Sequence, residues 1–359
     1  MHVSELALPA DADELLEALA DAPEFGLDTE FMRERTYFAR LCLLQIVAGG
    51  AVFLLDPLGD PAPEAFWTRL LDRSCVLHSG RQDIEVIFQT TRCMPASLFD
   101  TQVAAALLGY PPQIGYANLV KTLFDRDLPK SHTRADWTRR PLSEAMRAYA
   151  VEDVEYLLDA REHLTDKLQA KGRLDWAAED SAALLDPSLY ASSAQQAVDR
   201  LKAARNLRGR QRRAAVALAE WREKRAIAAD RPRQWVLKDA VLIDIAIRNP
   251  DSTRQLANVE GLPAGTVRRA GDDILGALAA AVDGDDNYQP PGRPGEREKA
   301  QLKAMQQTVA QAADELDIAA EVIAPRKELS ALMLGNRDVR ALTGWRRTVV
   351  GERLLALLD

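Results

Sequence analysis

The chain has 359 residues, too many for one ordinary core and enough for two or three domains. With 47% hydrophobic and 28% charged residues it reads as a soluble globular protein, and no apolar run approaches the roughly 20 residues of a membrane-spanning helix, so no membrane partner is expected. The net charge of −8, taken as a total, argues mildly against a nucleic-acid binder.

The first residues carry no basic and apolar leader, so no secretory signal is expected. Cys42, Cys75 and Cys93 lie in apolar surroundings and form no C-x-x-C pair. They read as free thiols of a reducing cytoplasm, not as a disulfide frame or a zinc site. The charge is unevenly spread. Basic residues crowd 202–238, with few acids among them, whereas much of the negative balance falls in the early helices and at 283–286.

In chain order, residues 25–31, 41–47 and 51–55 read as strands, the last two joined by the turn signal Gly49-Gly50. A helix over 62–71, a short buried strand over 75–78 and a helix over 82–90 follow, which predicts a mixed sheet covered by helices. Beyond Asp100 the pattern turns helical, at 101–108 and 116–124. A polar loop over 125–142 then leads into one long helix over 143–171, with Gly172 as its stop. The C-terminal part holds a weak internal repeat: 236–249 resembles 323–336, and the stretch opened by Gly271 resembles that opened by Gly351. Residues 284–295 are rich in Pro, Gly and Asp and read as a linker. The expected division is an α/β domain over 1–172, a helical linker over 173–206, and two small all-α domains over 207–283 and 296–359.

Three pieces carry carboxylates. Asp28 and Glu30 are i and i+2 on a strand, so they share one face, flanked by Leu27 and Phe31. Two acids on an interior strand need a compensating cation or donor, unless the strand end faces water. Asp83 falls in the first turn of a helix after the apolar strand and turn Leu77-His78-Ser79-Gly80, where an acid also suits the helix dipole. Tyr149 and Asp153 are i and i+4 on a helix and share a face, as a core-edge Tyr and a surface Asp also would.

Taken together, D-x-E on an early strand, an Asp after a strand-to-helix turn and Y-x-x-x-D on a later helix resemble the motifs of the DEDD exonuclease superfamily, tyrosine subtype. The resemblance implies a ribonuclease H-like mixed sheet. It also implies that Asp28, Glu30, Asp83 and Asp153 hold two divalent cations, Mg²⁺ or Mn²⁺, and that Tyr149 orients the attacking water. Asp100, at a strand-to-helix junction, competes with Asp83 for the third acid and otherwise caps a helix or supports the ligands. His78 and His132 read as a packed and a solvated residue.

The loop 128–142 is similar to that preceding the third motif in ribonuclease D-type enzymes. The likeness places Lys130, Trp137 and Arg140 near the substrate entry, where cations meet phosphates and a Trp stacks on a base; packing of Trp137 under the helix is the alternative. The C-terminal modules resemble the HRDC domain, a nucleic-acid-binding module, with Arg208, Arg212 and Arg213 on the first helix of the first copy. Arg326-Lys327 and 344–348 are the matching contact points of the second. One departure is Arg81-Gln82, where small or acidic residues are expected.

The function implied is 3′→5′ hydrolysis of RNA with release of 5′-mononucleotides, on RNA with a free 3′ end such as tRNA precursors, by a cytoplasmic monomer. A DNA exonuclease and an idle RNA-binding scaffold are the alternatives. No phosphate-loop motif of a helicase occurs.

Overall fold

A computed structural model describes residues 2–7, 11–20, 22–129, 135–191, 194–281 and 295–358. The chain forms two compact units: Met1–Met32, Arg40–Leu189 and Pro294–Asp359 in the first, Arg33–Ala39 and Tyr190–Arg293 in the second.

The first unit is built on a six-stranded sheet. Its strands are β1 (His2–Ala7), β2 (Glu24–Met32), β3 (Arg40–Ala48), β4 (Ala51–Asp56), β5 (Ser74–Leu77) and β6 (Ser97–Asp100), in the order β1-β4-β3-β2-β5-β6. The apolar runs of β3 and β4 are almost wholly buried, and they turn at Gly49 and Gly50, both at positive φ, as a two-residue hairpin requires. β2 pairs antiparallel with β3 and parallel with β5, so the D-x-E strand is interior. Strand β1 was not expected, and β6 was foreseen only as the strand-to-helix junction at Asp100. The first is a mostly exposed edge strand and the second has four residues, so neither carries a clear alternation.

Helices α1 (Ala12–Ala18), α2 (Glu64–Leu71), α3 (Arg81–Thr91), α4 (Thr101–Leu107), α5 (Tyr116–Phe124), α6 (Glu144–Glu155), α7 (Leu157–Ala170) and α8 (Leu174–Ala182) complete this part of the unit. The single helix expected over 143–171 is two helices. They part at Tyr156, whose backbone N–H donates to the Tyr116 hydroxyl at 3.0 Å. Gly26 explains how closely α7 approaches β2: a Cβ there would stand 2.5 Å from Val47 Cγ1 and 3.0 Å from Leu157 Cβ.

The second unit contains α9 (Ala194–Asp199), α10 (Gly209–Ala228), α11 (Arg233–Val236), α12 (Asp239–Arg248), α13 (Thr253–Leu256) and α14 (Ala264–Ala280), around a core that includes Leu218, Leu242, Ile245 and Ile274. The segment 33–39 joins this core's periphery through Tyr37, whose hydroxyl donates to Glu223.

Helices α15 (Glu296–Leu316), α16 (Ala320–Ile323) and α17 (Arg326–Met333) and the turns to Leu355 do not stand as a compact unit of their own, contrary to the division read from the sequence. Their Met305, Leu329 and Leu332 share one core with Leu107, Leu164 and Ala177 of α4, α7 and α8. Trp345 stacks on Trp176 with centroids 4.4 Å apart, and the buried Arg346 bonds to Asp180 and to the carbonyls of Val322 and Ile323. Among the described residues, no helix is long and apolar enough to cross a membrane.

Candidate active site

Alternation along β2 sends Asp28 and Glu30 to the same side of the sheet, opposite Gln45 and Leu43 of β3. That face packs on α6, because Leu43 and Val47 share a core with Ala150 and Val154. α6 in turn carries Tyr149 and Asp153 one turn apart. From the other side, β5 ends in the turn Ser79-Gly80, with Ser79 in the left-handed region at φ 58°, and α3 starts so that Asp83 lies in its first turn.

Asp100 is the residue that holds this turn. Its carboxylate accepts from the backbone N–H of Ser79 (3.1 Å), Gly80 (2.8 Å), Gln102 (2.8 Å) and Val103 (3.2 Å), stitching the β5–α3 turn to the start of α4. With its oxygens occupied by backbone donors, it caps and does not face the cavity. His78 is likewise engaged on both ring nitrogens, with the Thr101 hydroxyl and the Ile114 carbonyl, each at 2.9 Å, and burial lowers its pKa.

Asp28, Glu30 and Asp83 line a cavity of about 550 Å³ together with Thr29, Phe31, Ser79, Arg81, Gln82 and Tyr149, and Asp153, bonded to Tyr149, is near enough for its charge to act on Asp28 and Glu30. Among the described residues none of the four has a Lys, Arg or His partner. Burial first, and then the charges of Asp83, Asp153 and Glu30, hold Asp28 well above the usual carboxylate range. Burial, with Asp153 and Asp83 adding to it, pushes Glu30 up to about 8. Burial raises Asp153 to about 7 and Asp83 to about 6, each moderated by a hydrogen bond, from Tyr149 and Thr29 respectively. The Thr29 hydroxyl donates to Asp83 at 2.5 Å. Among the described residues, no three His, Cys, Asp or Glu side chains close on a common point as they stand. The Tyr149 phenol is raised by burial and by the acids around it, so it stays a donor at neutral pH.

Gln45 is a residue the sequence reading passed over. It is fully buried opposite Asp28, and among the described residues neither amide atom has a partner. Its signal was a lone amide inside the apolar run 41–47.

The expected nucleic-acid contacts fare differently. Trp137 is 1% exposed and lies beneath Tyr149, with centroids 6.0 Å apart. It is packed under the helix, which corrects the expectation of base stacking. Arg140 is also corrected: its guanidinium is bound to Asp56, to the Cys42 carbonyl at 2.7 Å and to the Trp137 carbonyl at 2.9 Å, fastening the loop to the sheet. Arg212 is buried against the Ala204 carbonyl and Asp199, and Arg213 donates to the Ala281 carbonyl, so neither presents a free charge. Arg208 is exposed at the start of α10, and Arg326 and Lys327 are exposed at the start of α17. Lys130 and His132 lie outside the described residues.

Comparison with known proteins adds the following. A 3′-5′ exonuclease family matches residues 7–169, and the HRDC domain family matches residues 211–278. Ribonuclease D of Gluconacetobacter diazotrophicus is 38% identical over 97% of this chain and 91% of its own length. Ribonuclease D of Xanthomonas oryzae pv. oryzae is 34% identical over 98% and 97%. The crystal structure of Escherichia coli RNase D, described as an exoribonuclease involved in structured RNA processing, superposes with a TM-score of 0.89 at 28% identity, covering 100% of this chain and 99% of that one.

Proposed function

The chain belongs to the ribonuclease D family of 3′→5′ exoribonucleases, and on that premise we propose that Asp28, Glu30, Asp83 and Asp153 are its cation-binding carboxylates and Tyr149 its water-positioning residue. The enzyme hydrolyses the 3′-terminal phosphodiester of RNA and releases 5′-mononucleotides.

The observation that carries the assignment is a cavity walled by Asp28, Glu30 and Asp83, with Asp153 beside it and no cation partner among the described residues, where burial and mutual repulsion raise the pKa of Asp28, Glu30 and Asp153. Such a donor set is deficient in positive charge and consists of hard oxygens, which suits Mg²⁺ or Mn²⁺ and not a soft metal. Divalent cations, which the family generally uses, would supply Lewis acidity toward the phosphoryl oxygens and lower the pKa of water. The chain's own residues do the positioning. Thr29 fixes the rotation of Asp83 through its hydroxyl. Tyr149, seated on the buried Trp137, holds a phenolic proton that it can direct to Asp153 or to the attacking water.

The substrate we propose is the 3′ end of a structured RNA such as a tRNA precursor, processed by a monomer in the cytoplasm. Arg208 of the first helical module and Arg326 and Lys327 of the second offer exposed charges to its backbone. Incubating 5′-labelled RNA with the protein tests the reading. It predicts a ladder shortening from the 3′ end with either Mg²⁺ or Mn²⁺, 5′-mononucleotide as product, and no digestion in chelator. Internal fragments, or digestion indifferent to chelator, would overturn it.

A further inference from the structure

Next to the carboxylate cavity lies a second cavity of about 540 Å³, within the range of ligand-binding pockets, bounded by α3, α4 and the segment from Glu321 to Arg346. Arg81 lines both cavities. We propose that the second cavity is the subsite for the nucleotides immediately 5′ of the bond being cut, with Arg81 and Arg340 binding their backbone phosphates. The proposal rests on the reading above, in which the 3′-terminal nucleotide occupies the carboxylate cavity. From there only the 5′ part of the strand continues, and Arg81 stands on the wall it must pass.

Arg81 has no evident structural reason to be an arginine. It is the first residue of α3, where a cation opposes the helix dipole. It is exposed, and among the described residues it makes no hydrogen bond or ion pair. A free guanidinium beside a concentrated patch of acids suits a polyanion that must enter that patch, because the cation offsets the repulsion locally. Among the described residues, Arg340 is anchored by one nitrogen only, Nε to Glu328 at 2.8 Å, and its two Nη groups have no partner. Gln102 gives its Nε2 to the Ile114 carbonyl at 2.9 Å and, among the described residues, keeps Oε1 free to accept from a 2′-hydroxyl. Val322 and Pro325 add apolar wall suited to a sugar or a base edge. Of the two acids in the lining, Asp180 is bound to Arg346, and Glu321 has no cation partner among the described residues. A strand in this cavity would therefore feel attraction at Arg81 and repulsion at Glu321, which gives the test a sign.

The test is binding of a 5′-labelled oligoribonucleotide of four residues to the full chain in chelator, followed by fluorescence anisotropy over a range of salt. Arg81→Gln is expected to weaken binding about tenfold, the loss of one charge-assisted contact, and to reduce the slope of log K against log salt by about 0.7. Arg340→Gln is expected to weaken binding about threefold, and Glu321→Gln to tighten it by about twofold. With Mg²⁺ present, KM of Arg81→Gln should rise more than kcat falls, and the advantage of a tetranucleotide over a dinucleotide should shrink. Unchanged affinity and salt slope in Arg81→Gln, or no tightening in Glu321→Gln, would overturn the subsite. The binding measurement needs no turnover, so it judges the cavity even if the hydrolytic reading failed.

Discussion

Glu223 of the second unit and the acids around the β2 cavity of the first are both buried or half-buried, yet their surroundings are opposite. Glu223 is 4% exposed and accepts from Arg233 at 2.5 and 2.7 Å, from Arg200 at 3.2 Å and from the Tyr37 hydroxyl at 2.5 Å. Asp28, Glu30, Asp83 and Asp153 together receive two hydroxyl hydrogen bonds and no cation among the described residues. A buried acid is therefore not in itself a functional signal. The signal is a set of buried acids that the protein leaves without counter-charge, because folding alone gains nothing from such an arrangement. Asp100 makes the same point within the first unit: its backbone donors place it with Glu223 and not with its neighbour Asp83.

The largest effects should separate these two kinds of site. Asp28→Asn is expected to lower kcat by roughly 10³-fold or more, since several kcal/mol of transition-state stabilisation depend on the cation site. It should leave metal-free thermal stability unchanged or raise it, because it removes a repelling charge. Glu223→Gln should do the reverse. It leaves Arg233 and Arg200 without their anion and should destabilise the second unit by about 2–3 kcal/mol. That lies below the value for a fully buried pair, because the two arginine side chains are 31% and 49% exposed. Its turnover of a dinucleotide should remain. Thermal unfolding and single-turnover cleavage of both variants decide the matter: an Asp28→Asn protein that unfolds as readily as Glu223→Gln breaks the comparison.

The next effect is set by protons. Glu30 is pushed up to about 8, Asp153 to about 7 and Asp83 to about 6, against ordinary values of 4.5, 3.8 and 3.8. Well below pH 3.8 the acids are protonated both folded and unfolded, and they contribute nothing. As pH rises toward 8 the unfolded chain releases these protons before the folded one does, so the folded state binds more protons and its stability falls. Divalent cation relieves the repulsion. Its stabilisation, about 2.7 kcal/mol at a hundredfold excess over Kd, should be fully developed at pH 8 and smaller at pH 6, where protons compete for the same oxygens. Melting temperature with Mg²⁺ and with chelator at the two pH values checks this, and an equal increment at both would count against a carboxylate site.

How much of this was legible in the sequence follows from how local each signal is. The D-x-E face, the acid after a strand-to-helix turn and the Tyr149–Asp153 pair each depend on two to four neighbouring residues, and each stands in the fold as its local periodicity implied. The rest depends on distant partners. The helix break at Tyr156 is made by a hydroxyl 40 residues away. Arg140 and Arg346 looked like surface cations because Asp56 and Asp180, which bind them, are far off in the chain. The last helices merged with α4, α7 and α8 because their apolar faces meet partners that lie before the linker. Gln45 was visible only as an anomaly, a polar residue where the β3 pattern called for an apolar one.

Tyr149→Phe probes the positioning role at smaller scale. The ring should keep its seat on Trp137, so the variant loses only the hydroxyl that bonds Asp153. A fall in kcat of about ten- to a hundredfold, with KM little changed, is expected from loss of water orientation. A change confined to KM would mean that the phenol binds substrate instead.

The smallest effect concerns the basic helix α10, where exposed and satisfied charges sit within one turn of each other. Arg208→Ala removes an exposed guanidinium that bonds to nothing among the described residues, so it should weaken RNA binding about threefold and lower the salt slope, with melting unchanged. Arg212→Ala removes a buried one that holds the Ala204 carbonyl and Asp199. It should lower the melting temperature of the second unit and leave the salt slope as it was, since a cation already engaged by the protein releases no counterions when RNA arrives. Identical salt slopes for the two variants would show that exposure on this helix does not decide which charges meet RNA.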